Sequence, residues 1–208
     1  ISLIVIGQEK FNYQTDFKKI KAQNLDKNNK LYFDNQLERF EANDTTLSNF
    51  EVLSLLIGFT NKNEYRPYED IKIEDEVYDL NGKGKFKEAL EKGLIFIKTH
   101  PFSLKVLFEI KFSYNKLNNQ KEAYNFEFKA EKIIQAMFYS GKGKTIETPT
   151  FALGPADGQV YLRKLGAGIG TMGSGFDSNG NFLDILEAKF KDGTSTNIYF
   201  IIQHATKN

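Results

Sequence analysis

One tripeptide recurs at a spacing that strongly limits the folds open to this chain. Lys87-Glu88-Ala89 returns as Lys121-Glu122-Ala123, at an offset of 34 residues. Self-similarity at a fixed offset of roughly 20–50 residues is typical of proteins built from repeated supersecondary units. A small Ala at each equivalent position allows two helix backbones to approach closely. We therefore expect Ala89 and Ala123 to lie where antiparallel helices touch.

The residues around the tripeptide resemble one particular helical repeat. The offset matches the period of the tetratricopeptide repeat (TPR), a helix–turn–helix unit. Gly84, Phe86 and Ala89 fit its G-x-Y-x-x-A stretch, Pro101 stands where a unit ends, and Tyr114 lies nine residues before the second Ala. About one and a half units are visible, fewer than the roughly three that normally stand alone. We therefore expect the helix pair to bury its open faces on the rest of one compact globule.

Helical spacing also runs through residues 11–60. Ser48 and Glu51 form a capping-box pattern, in which each side chain accepts a hydrogen bond from the backbone N–H of the other. Asn61 to Asp70 interrupts the spacing, and Pro67 disfavours the α conformation for the residue before it. We predict a loop over 61–70.

The character of the chain changes after Ser140. Gly141 is predicted to end the last long helix in the left-handed conformation. Thr148 to Leu153 suits a short strand, and Asp157 is placed to cap a short helix that ends before Gly166.

Alternating apolar residues then indicate strands. Asn179-Gly180 and Asp192-Gly193 supply the turns expected between antiparallel strands. Phe182, Leu186, Ala188 and Phe190 share one strand face on which Asp184 is the misfit, and Ile198, Phe200 and Ile202 share the next. The predicted class is α+β, with TPR-like antiparallel helices over 8–143 packed against a small C-terminal α+β part over 144–208 that holds an antiparallel sheet.

The first seven residues, Ile1–Gly7, fit the end of a secretory signal peptide. Val5 and Gly7 would occupy the −3 and −1 positions of a signal-peptidase cleavage site before Gln8. The alternative is a short edge strand. No other segment approaches the roughly 18 apolar residues of a transmembrane helix. Because the chain has no Cys, a lipid anchor on cysteine is excluded. We expect a periplasmic or secreted protein with no transmembrane segment and no lipid anchor.

Composition excludes several functions. The 28 basic and 27 acidic residues nearly balance, so the sequence lacks the basic footprint of a nucleic-acid-binding protein. Without Cys there is no thiol nucleophile, disulfide or thiolate metal site. The two histidines, His100 and His204, show no triad spacing. We predict no catalytic residues, no metal and no cofactor.

Two motif-like stretches have simpler explanations. Gly168-x-Gly170-x-x-Gly173 matches a dinucleotide fingerprint, but no helix start follows it, so a flexible loop or a glycine-rich strand is expected. Asp177-x-Asn179-x-Asn181 has oxygen ligands at alternate positions, yet it lacks the Gly and Glu that a calcium loop requires. A hairpin turn rich in Asx residues explains it.

Tyr65-Arg66-Pro67-Tyr68 is the strongest binding candidate. Two aromatic residues and an Arg beside a stiff Pro are the residue types enriched at interface hot spots, so Tyr65, Arg66 and Tyr68 are predicted to contact a partner. The alternative is that the tyrosines cover the end of the helical core while Arg66 pairs with a nearby acid.

Several short motifs together resemble a known family. They are Arg39-Phe40, Asp44-Thr45-Thr46-Leu47, Tyr65-Arg66-Pro67-Tyr68, the helix pair from Pro101 to Ala123, Ser140-Gly141-Lys142-Gly143 and Leu165-Gly166. In this order they resemble the domain of unknown function 4919, found in exported proteins of Bacteroidota. The resemblance spans about 11–203 and implies export and a helical, TPR-like body with a small sheet. It carries over no catalytic or binding residue.

These observations lead to two hypotheses about function. The first is a non-enzymatic protein-interaction or scaffold module of the cell envelope that binds another envelope protein or a peptide. The alternative is a carboxylate-dependent hydrolase acting on an envelope polymer, which requires a deep pocket holding two acids with displaced pKa values. A third idea is binding of a small ligand where the helical and C-terminal parts meet.

Overall fold

The computed structural model describes residues 11–207, so the predicted signal remnant, Ile1–Gly7, lies outside the described residues. Within them the chain is α+β, as predicted. Its helices are α1 (Tyr13–Leu25), α2 (Phe33–Glu41), α3 (Asn49–Phe59), α4 (Pro67–Gly82), α5 (Phe86–Phe96), α6 (Leu104–Lys116), α7 (Gln120–Ser140), α8 (Pro155–Lys164) and a 3₁₀ helix (Gln203–Lys207). Its strands are β1 (Thr150–Phe151), β2 (Gly168–Phe176), β3 (Phe182–Lys189) and β4 (Ser195–Ile201).

Helix α3 lies at the centre of the helical core. The predicted capping box starts it: Ser48 Oγ accepts from the backbone N of Glu51, and Glu51 Oε2 accepts from the backbone N of Ser48 at 2.8 Å. Every residue from Val52 to Phe59 is buried, because α1, α2 and α7 all pack against this helix. A helix that is apolar on every side needs such a surrounding shell.

Helices α4 to α7 form two helical hairpins that repeat with the predicted 34-residue offset. Helices α5 and α7 begin 34 residues apart, and so do the left-handed turn residues Gly84 (φ 74°) and Asn118 (φ 60°). Ala89 and Ala123 are both buried on helices. Ala89 lies on α5, which packs on α4 and α6, and Ala123 lies on α7, which packs on α6. The recurrence thus reflects a structural repeat, while membership of the tetratricopeptide class stays a prediction.

The loop before α4 is shorter than predicted. Arg66 does leave the α region (φ −139°, ψ 65°), but Pro67 begins α4 instead of lying within a loop that reaches Asp70. Pro is tolerated at the first helical position, because the N–H that it lacks would have no partner within the helix there. Tyr68 therefore lies in the first turn of a helix.

The end of α7 also differs from the prediction. Gly141 is extended (φ 175°) rather than left-handed. After Gly141 the chain turns back on itself over 143–148, with Gly143 left-handed (φ 65°) and its backbone N donating to the carbonyl oxygen of Thr148, so a Cβ at Gly141 would lie 2.2 Å from the carbonyl oxygen of Pro149. Close approach of two backbone segments, and not a turn, explains the glycine.

The four strands form one sheet in the order β1-β4-β3-β2. The predicted antiparallel meander is β2-β3-β4, and β1 adds to β4 in parallel. The predicted turns are confirmed, since Gly180 (φ 76°) and Gly193 (φ 85°) are both left-handed. The glycine-rich stretch is an edge strand, β2, with a bulge between Ile169 and Met172, so no helix N-terminus follows its glycines.

Helix α8 lies between this sheet and the helical hairpins. A Cβ at Gly158 would lie 2.8 Å from Leu186 Cδ1 and 3.1 Å from Phe200 Cδ2, which shows how closely α8 approaches β3 and β4. Asp157 is the third residue of α8 rather than its N-cap, because Pro155 starts the helix earlier. Gly166 (φ 73°) follows the helix, as predicted. In the stretch from 11 to 207, no helix is long and apolar enough to cross a bilayer.

Candidate functional site

The structure separates the three residues predicted to bind a partner. Tyr65 is only 2% exposed, and its hydroxyl donates to the carbonyl oxygen of Leu153 at 2.5 Å. Its ring is therefore inaccessible to a partner in this structure. Arg66 is exposed and pairs with Glu69 at 3.2 Å, and Tyr68 is 47% exposed. The surface of this segment consists of Arg66 and Tyr68.

A wider open surface lies on the last turns of α4 and along α6. We call it the α4–α6 groove, a depression of about 490 Å³. It is lined by Tyr78, Asn81, Gly82, Phe108, Glu109, Lys111, Phe112 and Asn115. Two of its aromatic side chains reach solvent, Tyr78 with 51% and Phe112 with 41% of its surface exposed. Exposed aromatic residues grouped in a concavity are typical of interaction surfaces.

Buried polar contacts fix the floor of the α4–α6 groove. Asn81 Nδ2 donates to Glu109 Oε2 at 2.8 Å and to the Glu109 carbonyl oxygen at 3.0 Å. Ser113 Oγ donates to Asn81 Oδ1 at 2.7 Å. Phe112 also packs edge-on against Phe86 of α5, with ring centroids 6.0 Å apart. These contacts hold α4 and α6 in register, so the groove is preformed.

Helix α8 covers the other end of the same two helices. Ile71 and Asp75 of α4 and Lys105 of α6 lie against the first turns of α8, around a small cleft of about 160 Å³. Asp75 and Tyr78 are three residues apart, and so are Lys105 and Phe108, so the covered and open ends lie on one continuous face. Lys105 joins the two ends: its amine pairs with Asp75 and lies 5.6 Å from the Tyr78 ring centroid.

A buried cluster of titratable groups lies where α4, α6 and α8 meet. Glu74 and Asp157 both line a cavity of about 30 Å³. Burial raises the pKa of Glu74, and burial together with the charge of Glu74 raises the pKa of Asp157 to about 7. At the rim of the cavity, His100 Nε2 lies 3.3 Å from Asp70 Oδ1. Burial alone would lower the pKa of His100, but the hydrogen bond and the charge of Asp70 raise this pKa above its usual value.

The size of this cavity bears on the hydrolase hypothesis. That hypothesis requires two acids with displaced pKa values in a deep pocket, and the acids are present. A cavity of about 30 Å³ has room for an ordered water, which needs about 10–15 Å³, whereas ligand pockets are roughly 300–1,000 Å³. This cavity is therefore far smaller than a pocket that holds a unit of a polymer.

A larger cleft, of about 330 Å³, lies between the start of α1, the end of α7 and the β2–β3 turn. Asp177 on its rim accepts hydrogen bonds from the backbone N of Asn179 and of Asn181, each at 2.8 Å, and from Asn181 Nδ2 at 2.7 Å. The oxygen pattern that resembled a calcium loop thus serves a hairpin turn. Within residues 11–207 no group of three or more His, Asp or Glu side chains is placed to hold a metal ion.

Sequence analysis missed both the α4–α6 groove and the buried acids. The groove has a local signal, because Tyr78 on α4 and Phe108 and Phe112 on α6 are large apolar residues outside the buried stripes of their helices. The acid pair has none, because Glu74 and Asp157 meet only through the tertiary packing of α8 on α4.

Comparison with protein families identifies the family of this chain. A family model described as "Domain of unknown function (DUF4919)" matches residues 18–208. No curated protein and no solved structure matches the chain.

Proposed function

We propose that this chain, which belongs to the DUF4919 family of unassigned activity, is a non-enzymatic interaction module. Its α4–α6 groove binds an amphipathic helix of another protein. The observation that carries this proposal is the open face beside α8, with Tyr78 and Phe112 exposed on a rigid floor.

Helix α8 supports the choice of a helical partner. It is a helix of this chain that already packs on α4 and α6, at the end of the face formed by Ile71, Asp75 and Lys105. The open end continues that face. A partner helix would place apolar residues at i, i+3 or i+4 spacing against Tyr78, Phe108 and Phe112, as in other helix-in-groove complexes.

The cellular setting belongs to the same proposal. The apolar segment Ile1–Gly7 is the basis for expecting export, and the family resemblance agrees with it. We therefore propose a periplasmic or secreted location and a partner that is another protein or peptide of the cell envelope. The groove supports binding and not catalysis, because the buried acids Glu74 and Asp157 line a separate, much smaller cavity.

Binding measurements with matched variants test the proposal. Tyr78→Ala and Phe112→Ala should each weaken capture of a partner from envelope extracts, by roughly 30-fold where the residue is a hot spot worth about 2 kcal/mol. Tyr124→Ala is the control, because Tyr124 is 65% exposed on α7 and does not line the groove.

Arg66→Ala and Tyr68→Ala examine the residues predicted from sequence. They should weaken capture less than Phe112→Ala, because Arg66 and Tyr68 do not line the groove. If Phe112→Ala and Tyr124→Ala capture the same proteins at wild-type strength, the groove is not the binding surface.

A further inference from the structure

Two buried carboxyl groups from separate parts of the chain face one small cavity. Glu74 comes from α4 and Asp157 from α8, and each is more than nine-tenths buried. Glu74 Oε1 accepts from Ser103 Oγ at 2.7 Å, whereas Glu74 Oε2 is buried with no hydrogen-bond partner among the described residues. An unpartnered buried carboxylate oxygen is costly, while a protonated carboxyl in the same place can act as a donor.

Asp157 ties this cavity to the docking of α8. Its Oδ2 accepts from the backbone N of Leu153 at 2.8 Å and from that of Gly154 at 3.1 Å, which fixes the chain as it enters α8. A Cβ at Gly154 would lie 2.9 Å from Cβ of Pro67, so this entry segment lies directly against the first turn of α4.

The surrounding charges do not compensate a second negative charge. Asp70 and Asp75, on the same helix as Glu74, raise its pKa further, while Lys105 of α6 lowers it. Lys105 is already paired with Asp75, and His100, the nearest group from the α5–α6 connection, is paired with Asp70. The hydroxyls of Ser103 and Tyr65 complete the polar surroundings.

We propose that protonation of one of the two buried carboxyls, Glu74 or Asp157, latches α8 onto α4, and that loss of this proton loosens α8 from the face it shares with the α4–α6 groove. The latch requires one of the two carboxyls to be neutral, since two like charges buried around one small cavity cannot both be ionised at low cost. It does not depend on whether the groove binds a partner.

The direction of the pH effect follows from the raised pKa of Asp157. An acid with a pKa of about 7 in the folded protein and about 3.9 in the unfolded chain holds more protons when folded. Its contribution to the stability of docked α8 is therefore fully present below about pH 4 and is lost as the pH rises through 7. Between pH 5 and 8 the equilibrium constant for opening of α8 should therefore rise on the order of 100-fold.

Hydrogen exchange of the full chain, followed by mass spectrometry between pH 5 and 8, tests the latch. After correction for intrinsic exchange, the protection of α8 amides should fall roughly 100-fold over this range, and α8 should exchange before the buried helix α3 at pH 8. Glu74→Gln and Asp157→Asn, which mimic the protonated forms, should each reduce the fall to less than tenfold.

Asp184→Asn is the control, because burial raises the pKa of Asp184 to about 6 but this residue does not line the cavity. This variant should keep the full effect on α8. The proposal is overturned if wild-type protection of α8 does not change with pH, if both isosteric variants keep the wild-type fall, or if α8 and α3 exchange together at pH 8. Because each variant removes a charge rather than a contact, loss of folding is not expected.

Discussion

His204 should contribute a destabilising term to the free energy of folding in acid, and the size of this term follows from its surroundings. The imidazole is buried and stacked on Phe151, with ring centroids 4.5 Å apart and planes 10° from parallel. Nε2 donates to the carbonyl oxygen of Ala152 at 2.9 Å, which leaves Nδ1 to accept from the hydroxyl of Tyr13 at 3.3 Å. Both contacts suit the neutral ring.

Burial lowers the pKa of His204 to about 3, against about 6.5 in the unfolded chain. The unfolded chain therefore binds one more proton between these values, so the free energy of unfolding decreases as the pH falls from 6.5 toward 3. At about 1.4 kcal/mol per pH unit, the cost between pH 7 and 4 is about 3 kcal/mol.

Urea unfolding of the wild type and of His204→Gln at pH 4, 5, 6 and 7 measures this term. Gln keeps an N–H that can reach Ala152 but does not titrate, so its fixed cost is the same at every pH. Asp157, Asp184 and Glu74 have raised pKa values and act in the opposite direction. They are present in both proteins and cancel in the difference. A wild-type-minus-variant difference that stays constant within about 0.5 kcal/mol over this range refutes the reasoning.

Two further changes test the packing, both by urea unfolding. Gly93→Ala places a Cβ 2.8 Å from Ile110 Cγ1, so overpacking of about 1–3 kcal/mol should outweigh the helix-propensity gain of about 1 kcal/mol. In Gly82→Ala the new Cβ meets no atom within 4 Å, so this change should stabilise the protein by up to about 1 kcal/mol. Equal effects of Gly93→Ala and Gly82→Ala on stability would contradict the close α5–α6 contact. Tyr65→Phe removes the donor to the buried Leu153 carbonyl and should cost about 1–2 kcal/mol, and no loss would show that this bond is dispensable.

Features determined by neighbouring residues were predictable from the sequence. The Ser48–Glu51 box, the turn glycines Gly180 and Gly193, and the 34-residue helical recurrence all depend on contacts within a few residues or on a repeated local unit. The same local signals yield the α+β class. Errors arose at element boundaries, as at Gly141, where the backbone is extended and the chain returns to place Pro149 beside it.

Features determined by tertiary packing were not predictable. Nothing near Tyr65 in the sequence indicates that its hydroxyl reaches Leu153, so the sequence left open whether Tyr65 contacts a partner or covers the helical core, and it lies in the core. His204 gave no signal either, because Tyr13 and Ala152 come from distant segments. The glycine-rich stretch lacks strand periodicity, so the sequence left a flexible loop and a glycine-rich strand open, and pairing with β3 makes it a strand.

Site-specific photo-crosslinking in living cells tests the central proposal most directly. A photoreactive phenylalanine analogue replaces Phe112 in the groove and, in a separate strain, Tyr124, which is exposed on α7 and does not line the groove. The proposal predicts a discrete adduct from position 112 that maps to a helical segment of another protein and is absent from position 124. Adducts of equal yield and identity at the two positions, or none at position 112, would contradict it.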